Sequence, residues 1–456
     1  MAHDSITRRA FLAAATSTAA GLSLGAGKVN TAKVVPRKVS PNEKLNVAAI
    51  GAGGKGREDI FNCRKENVVA LCDVDSVRAG EAFEYFGKAK KFTDYRRMLD
   101  KVKSIDAVTV TTPDHTHAPA AYRAMMMGKH VYVQKPLTHT VAEARLLTET
   151  ARATGVATQM GNQGHSGNGV RDLCEMIWSG AIGPVREAHV WTNRPSWPQG
   201  IAAPLPTMPV RDNLDWDLWL GSAPERPYSD KYSPHNWRGW YDFGAGALGD
   251  MACHIMDPAF WALKLYEAPS YRVECVKVDG KNEQTFPNGE VIKYSYPARG
   301  AMPPVEVYWY DGGHLPPRPE GVPDDEQVGD GEWGGRTNGS YFKGDDGYLT
   351  AGEYGGRPRL LPNARMAEYV KPDPSIPRVR AQNHYGNWIA ACKGGEAAGS
   401  NFEYSGPFTE MVLMGVVALK AGQKLEWDHA KSAITNVANG EALLSKPYRT
   451  GFEIPV

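Results

Sequence analysis

Residues 45–56 read Leu45-Asn46-Val47-Ala48-Ala49-Ile50-Gly51-Ala52-Gly53-Gly54-Lys55-Gly56, and their reading decides the fold. The apolar run up to Ile50 has the composition of a buried strand, and a helix-compatible stretch follows the glycines. The pattern predicts strand, phosphate turn and helix. Gly51 allows the tight turn, Gly53 (with Gly54 beside it) lets backbone approach a pyrophosphate, and Gly56 lets the helix pack closely on the strand. The helix N-terminus then favours an anionic diphosphate. A second β-like run, residues 67–72, ends at Asp73, about 20 residues past the turn, where a carboxylate can accept hydrogen bonds from ribose hydroxyls. The competing role for Asp73 is to cap a loop or the next helix. An acidic residue there repels a 2′-phosphate and favours NAD, while Arg78 and Lys55 lie close enough in sequence to keep NADP open.

The α/β rhythm repeats twice more. Residues 104–110 have the composition of a buried parallel strand and lead into Thr111-Thr112-Pro113-Asp114-His115-Thr116-His117, then a helical run to Gly128. The next strand delivers Gln134-Lys135-Pro136, and a short one at 155–158 precedes Asn162, Gln163 and His165. Ligands of such sheets sit at the carboxyl ends of the strands, so these loops should face the cofactor. Lys135 then stands where a nicotinamide enzyme needs a proton-handling group.

The glycine turn, Asp73, the loop 112–117 and the run from Gly128-Lys129-His130 to Gln134-Lys135-Pro136 resemble the Gfo/Idh/MocA oxidoreductase family. Its usual Glu-Lys-Pro is Gln134-Lys135-Pro136 here, a departure that removes one carboxylate neighbour of Lys135. A second family signature lies in residues 244–254, where Asp250 and His254 are spaced to share one helix face and meet one sugar hydroxyl. Pro258 should kink that helix or restart it with Asp257 as cap. By resemblance, Lys135, Asp250 and His254 are catalytic. Gly51, Gly53, Gly54, Gly56, Asp73, Thr111, Thr112, Pro113, His117, Gln134, Lys135, Asn162 and Gln163 hold the cofactor. His165, Trp237, Arg238 and Trp240 approach the substrate. The last two tryptophans belong to a crowd with Trp191, Trp197, Trp216 and Trp219 that could line a sugar cleft or simply pack a loop.

The implied fold is α/β: an N-terminal Rossmann dinucleotide-binding domain (44–165) and a C-terminal α+β domain with an open, mostly antiparallel sheet (166–456). β-like runs at 186–192, 271–278 and 304–310 fit that sheet. Helix-like segments at 383–392 and 408–421 are expected to pack on it, with His384 as a substrate neighbour or a structural histidine. The Gly- and Pro-rich stretch 311–377 receives no role.

Residues 1–43 read as a twin-arginine signal and linker, with Thr7-Arg8-Arg9-Ala10-Phe11-Leu12 before a small-residue run too short and too polar for a stable span. This predicts an exported, periplasmic protein without an integral membrane span. A net charge of +1 over 456 residues gives no reason to expect nucleic acid, and six cysteines without paired spacing are expected to be free thiols. No metal is expected, because Asp250 and His254 lack a third ligand at useful spacing. The family implies a homo-oligomer. The expected activity is NAD(P)-dependent oxidation at a sugar or glycoside carbinol with a tightly held cofactor and a redox-neutral cycle. Two alternatives are a glycosidase working by oxidation, elimination, hydration and reduction, and a sugar-binding protein without catalysis.

Overall fold

The computed structural model describes residues 34–332, 334–335 and 337–456. Of the signal and linker read at residues 1–43, residues 1–33 lie outside the described residues, while in the linker Val39 is buried in the core of the first sheet and Arg37 pairs with Asp106. Six strands, β1 (Asn46–Ile50), β2 (Asn67–Cys72), β3 (Lys90–Phe92), β4 (Ala107–Val110), β5 (His130–Val133) and β6 (Thr158–Met160), form the first sheet. All neighbours in it run parallel, in the order β3-β2-β1-β4-β5-β6. That is the doubly wound dinucleotide order, and the strand order switches sides between β1 and β4, where a crevice must open. The central strands are buried along nearly their whole length because helices cover both faces.

The turn behaves as its glycines require. Gly51 has φ +81°, and a Cβ there would collide with the Thr111 carbonyl. At Gly56 a Cβ would strike the Gly51 carbonyl oxygen, so the helix Lys55–Asn62 can approach β1 only without a side chain at this point. Farther on, Thr140 and Glu143 form a reciprocal cap on the helix Val141–Thr154, which Gly155 ends in the left-handed conformation.

Nine further strands make the second sheet: β7 (Val185–Trp191), β8 (Ser270–Asp279), β9 (Gly289–Tyr296), β10 (Val305–Tyr310), β11 (Gly339–Gly344), β12 (Gly347–Ala351), β13 (Arg359–Leu361), β14 (Leu425–Asp428) and β15 (Ala433–Ile434). Their order is β13-β12-β11-β7-β10-β9-β8-β14-β15, antiparallel at every pairing except β7 with β10. The mostly antiparallel expectation therefore holds. The stretch 311–377 is not a structureless loop, since it supplies β11, β12 and β13.

The helix Phe402–Ala421 is mostly buried and packs on β8 and the helices Val141–Thr154 and Gly246–Ile255. The helix His384–Cys392 departs from expectation. Its Tyr385, Trp388 and Cys392 join Val47, Ala49 and Leu71 in the core of the first sheet instead of packing on the second. Burial of each such side chain contributes about 1.5–3 kcal/mol, which is why this late segment returns to the nucleotide domain.

One buried carboxylate fastens that helix to the loops above the sheet. Asp59, fully buried, accepts from Thr111 Oγ1 at 2.7 Å, from Gln134 Nε2 at 2.9 and 3.1 Å, and from Tyr385 Oη at 2.6 Å. Burial pushes its carboxyl pKa up, while Lys55 and these three donors act against that shift. The departure at Gln134 now has a physical reason. A glutamate there would face Asp59 at hydrogen-bond distance as a second buried anion.

Two outcomes follow. Gln134→Glu should lower stability at pH 7 by about 1–3 kcal/mol, with the loss shrinking as acid protonates the pair; denaturant melts at pH 5 and 7 measure this. Gly56→Ala should cost about 1–3 kcal/mol by overpacking the turn, read as a lower thermal midpoint with weakened NAD binding.

Candidate active site

A cleft of about 500 Å³ opens at the switch in strand order, a size in the normal range for small-molecule sites. Gly51, Gly53, Lys55, Asp73 and Arg78 line one end; Gln134, Lys135, His254, Trp237, Arg238 and Tyr354 line the other, with Thr111, Thr112, Pro113 and Asp114 between them. Of the site residues called from sequence, Gly51, Gly53, Asp73, Thr111, Thr112, Pro113, Gln134, Lys135, Gln163, His254, Trp237 and Arg238 are on this wall; Asp250 is not, but it bonds to Lys135.

At the glycine end, Asp73 Oδ2 accepts from the backbone N–H groups of Ala52 and Gly53 at 2.8 and 2.9 Å, and Oδ1 from Asp75 at 2.9 Å. The carboxylate braces the phosphate turn as well as facing the cleft. Arg78 crosses Gly53 and Gly54, so a Cβ at Gly53 would meet its side chain at 2.6 Å. Gly54 and Gly56 shape the turn and are not on the cleft wall. The bare glycine surface, the N-terminus of the helix Lys55–Asn62 and a carboxylate at the end of β2 suit a dinucleotide: diphosphate at the turn, ribose at Asp73.

At the other end, Lys135 follows β5 and its Nζ donates to Asp250 Oδ1 and to the Asp250 carbonyl, both at 2.7 Å. Arg238 Nε donates to the same Oδ1 at 3.1 Å, and its guanidinium lies 4.4 Å from the Trp237 ring centre. Burial would raise the Asp250 carboxyl, but Lys135 and Arg238 outweigh burial and hold it well below the usual carboxylate range. Asp250 thus orients Lys135, and it supplies an anionic partner in place of the one that the Gln134 departure removes.

His254, one turn along the helix Gly246–Ile255, is 7% exposed and lines the cleft. Its Nδ1 has no hydrogen-bond partner among the described residues. Burial first, then the charge of Lys135, pushes its pKa well below 6.5, so the ring is neutral and can accept a proton. Asp114, at the carboxyl end of β4, accepts from the Ala245 N–H at 3.1 Å and so sits at the start of that same helix. Burial raises its carboxyl to about 7.

Several residues called from sequence lie elsewhere. His117 bonds the carbonyls of Pro136 and Thr112 through its two nitrogens and is packed, not cofactor-facing. His165 pairs with Asp257 at 2.9 Å and stacks on Trp261, away from the cleft. Asp257 begins the restarted helix Asp257–Ala262 but makes no side-chain cap; it accepts from His165 and Tyr404. Trp240 is 1% exposed, edge-on to Tyr232, so it is core. Asn162 is buried behind the cleft wall with both amide atoms unpartnered. His384 bonds Ser166 and the Met160 carbonyl and is structural.

Sequence reading missed Asp59, Asp114 as an acid, and Tyr354. Tyr354 comes from the β12–β13 connection, is 49% exposed, and sets its ring edge-on to His254 at 4.9 Å. Its turn is pinned where Glu353 N–H donates to Asp330 and Asn338 to Glu353. No sequence signal pointed to it, because the stretch carries no periodicity beyond glycine and proline. All six cysteines are free, and among the described residues no cluster of three His, Cys, Asp or Glu could hold a metal. No described helix is long and apolar enough to cross a membrane.

A model of the oxidoreductase family with NAD-binding Rossmann fold matches residues 45–162, and one of the family's C-terminal α/β domain matches 184–300. An α-N-acetylgalactosaminidase of Shewanella oneidensis is 31% identical over 202 residues, which cover 39% of this chain and 44% of that protein. A levoglucosan dehydrogenase of Pseudarthrobacter phenanthrenivorans is 27% identical over 238 residues, covering 50% and 53% respectively. The chain thus spans about half the length of these relatives. The WlbA dehydrogenase of Chromobacterium violaceum, crystallised with NADH and UDP-GlcNAcA, superposes with a TM-score of 0.60 at 15% identity over 86% of this chain and 99% of that one. The two matched regions together cover just over half of the chain and contain the glycine turn, Asp73, Lys135, Asp250 and His254, so the chain belongs to the Gfo/Idh/MocA family of NAD-binding oxidoreductases.

Proposed function

We propose that this protein oxidises a carbinol carbon of a sugar or glycoside with NAD and keeps the cofactor bound through the cycle. The observation that carries the reading is His254, a neutral imidazole on the same cleft wall as Lys135, whose ammonium Asp250 holds in place. Bound NAD supplies a hydride acceptor at the carbinol carbon. Gly51, Gly53, Asp73, Thr112 and Gln163 are the residues that would hold it.

His254, kept neutral by burial and the nearby charge of Lys135, takes the hydroxyl proton as general base. Lys135 donates a hydrogen bond to the same oxygen as charge develops there. Asp250 fixes the Lys135 ammonium in advance, so little reorganisation is needed at the moment of transfer. Trp237 and Tyr354 offer ring faces and edges to the C–H surface of a sugar, and Arg238 offers donors to its hydroxyls.

A second reading is favoured by the α-N-acetylgalactosaminidase relative. Oxidation at C3 makes the C2–H acidic, so a base can remove that proton and the C1 substituent leaves by elimination; addition of water at C1 with a proton at C2, and return of the hydride to C3, complete a redox-neutral hydrolysis. The export signal read in the first 43 residues supports this cycle, since a periplasmic enzyme has no pool of free NAD to draw on. Assembly into a homo-oligomer through the second-domain sheet belongs to the same proposal.

The captive cofactor is tested by desalting the purified protein, denaturing it and measuring nicotinamide dinucleotide per chain. Near-stoichiometric release is expected, and an empty protein that binds NAD weakly overturns that part of the proposal. Lys135→Ala should lower hydride transfer by at least about 10²-fold while NAD affinity stays within a few-fold; retained transfer removes Lys135 from the chemistry. A pH series checks Asp114. Because its folded pKa is raised to about 7, the stability conferred by its retained proton is full below the unfolded value and lost as pH rises through about 7. Thermal midpoints of Asp114→Asn should therefore fall less than wild type between pH 5 and 8.

A further inference from the structure

We propose that residues 444–454 are part of the dinucleotide site: they fasten the wall at its adenosine end and set how long the cofactor stays bound. The inference rests on the captive-cofactor reading above. It concerns residues beyond both regions matched by the family, which end at residue 300.

Phe452 is 7% exposed and lines the cleft. Its place in the cleft follows from its neighbours. The Arg96 guanidinium lies 4.2 Å from its ring centre, and the adjoining Tyr95 and Thr93 line the cleft with it. The Thr93 carbonyl accepts from Cys72 Sγ, next to Asp73. Phe452 therefore belongs to the Asp73 end, where the ribose and adenine of a dinucleotide would lie.

The segment is bolted on both sides of that end. Toward the nucleotide domain, the Leu444 carbonyl accepts from Ala142 N–H at 2.9 Å. Lys446 Nζ lies 3.3 Å from the buried Glu143 and donates to the His115 carbonyl at 3.1 Å. Tyr448 Oη donates to Glu143 at 2.6 Å, and Arg96 donates to the Gly451 carbonyl at 2.9 Å. Toward the other side, Arg449 donates to the Gly221 carbonyl at 3.0 Å and to Asp217 at 2.5 Å. Asp217 and Gly221 flank Leu218 and Trp219, which also line the cleft, and their chain is tied to the loop after β2 through Asp215 N–H to Val74 and Asn213 to Asp75.

Three pieces of chain thus close on the adenosine end, and residues 444–454 bond to both of the others, which are also joined directly through Asp215 and Asn213. Among the bonds described, those to Glu143 and His115 end on acceptors that are themselves buried, so the strap cannot lift without leaving a buried carboxylate short of its partners. A cofactor gripped there leaves only as fast as this clamp loosens.

The test compares wild type with Phe452→Ala and Arg449→Ala, each loaded with NADH and chased with excess NAD, following loss of bound NADH fluorescence. Exchange at least 10-fold faster in both variants than in wild type is the expected result. Slow exchange that is equal in all three proteins overturns the clamp and leaves the captive cofactor standing. Fast exchange in wild type overturns the captive-cofactor reading itself. Should either variant fold poorly, hydrogen exchange on wild type decides: amides of residues 444–454 gain protection when NADH is bound, and identical protection with and without it refutes the proposal.

Discussion

The buried carboxylate of Asp59 is the constraint on which the site depends. It stands in the helix that receives the diphosphate, yet its three side-chain donors come from the loop after β4, the loop after β5 and a helix some 330 residues further along the chain. An anion without these donors would be costly to bury, and the donors without it would be unpaired. Each element therefore holds the others in register. Lys135 follows Gln134 directly, so the position of the ammonium at the cleft is set in part by this network behind it.

In front of that network the cleft concentrates charge. Lys135, Asp250 and Arg238 form a largely buried group whose desolvation is offset by short, well-aligned bonds. Its value lies in fixed direction: Lys135 is held by both a carboxylate oxygen and a carbonyl of the same residue, so it points one way before any substrate arrives. His254 sits buried beside a positive neighbour, and both effects keep it neutral.

Much of this was legible in the sequence, for identifiable reasons. Gly51, Gly56 and the strand ending at Asp73 carry backbone requirements that few other residues can meet, so the nucleotide fold is written locally. Lys135, Asp250 and His254 could be named, but their pairing could not, because it depends on how the helix Gly246–Ile255 faces the loop after β5. His117, His165 and Trp240 show the opposite failure. A histidine between two carbonyls and a tryptophan in an aromatic core have the same composition as a ligand site, and only packing separates them. Tyr354 and Asp59 had no periodic or motif signal at all, since each acts through a contact distant in sequence.

The return of the helix His384–Cys392 to the first sheet has a consequence for biogenesis. Tyr385, Trp388 and Cys392 fill the layer over β1, and Tyr385 completes the shell of Asp59. A ribosome releasing the chain from its N-terminus makes all six nucleotide-domain strands long before this helix emerges. The half-built sheet would wait with an open apolar face and an incompletely solvated carboxylate, a natural client for a holding chaperone, and the dinucleotide could dock firmly only after nearly the whole polypeptide had been synthesised.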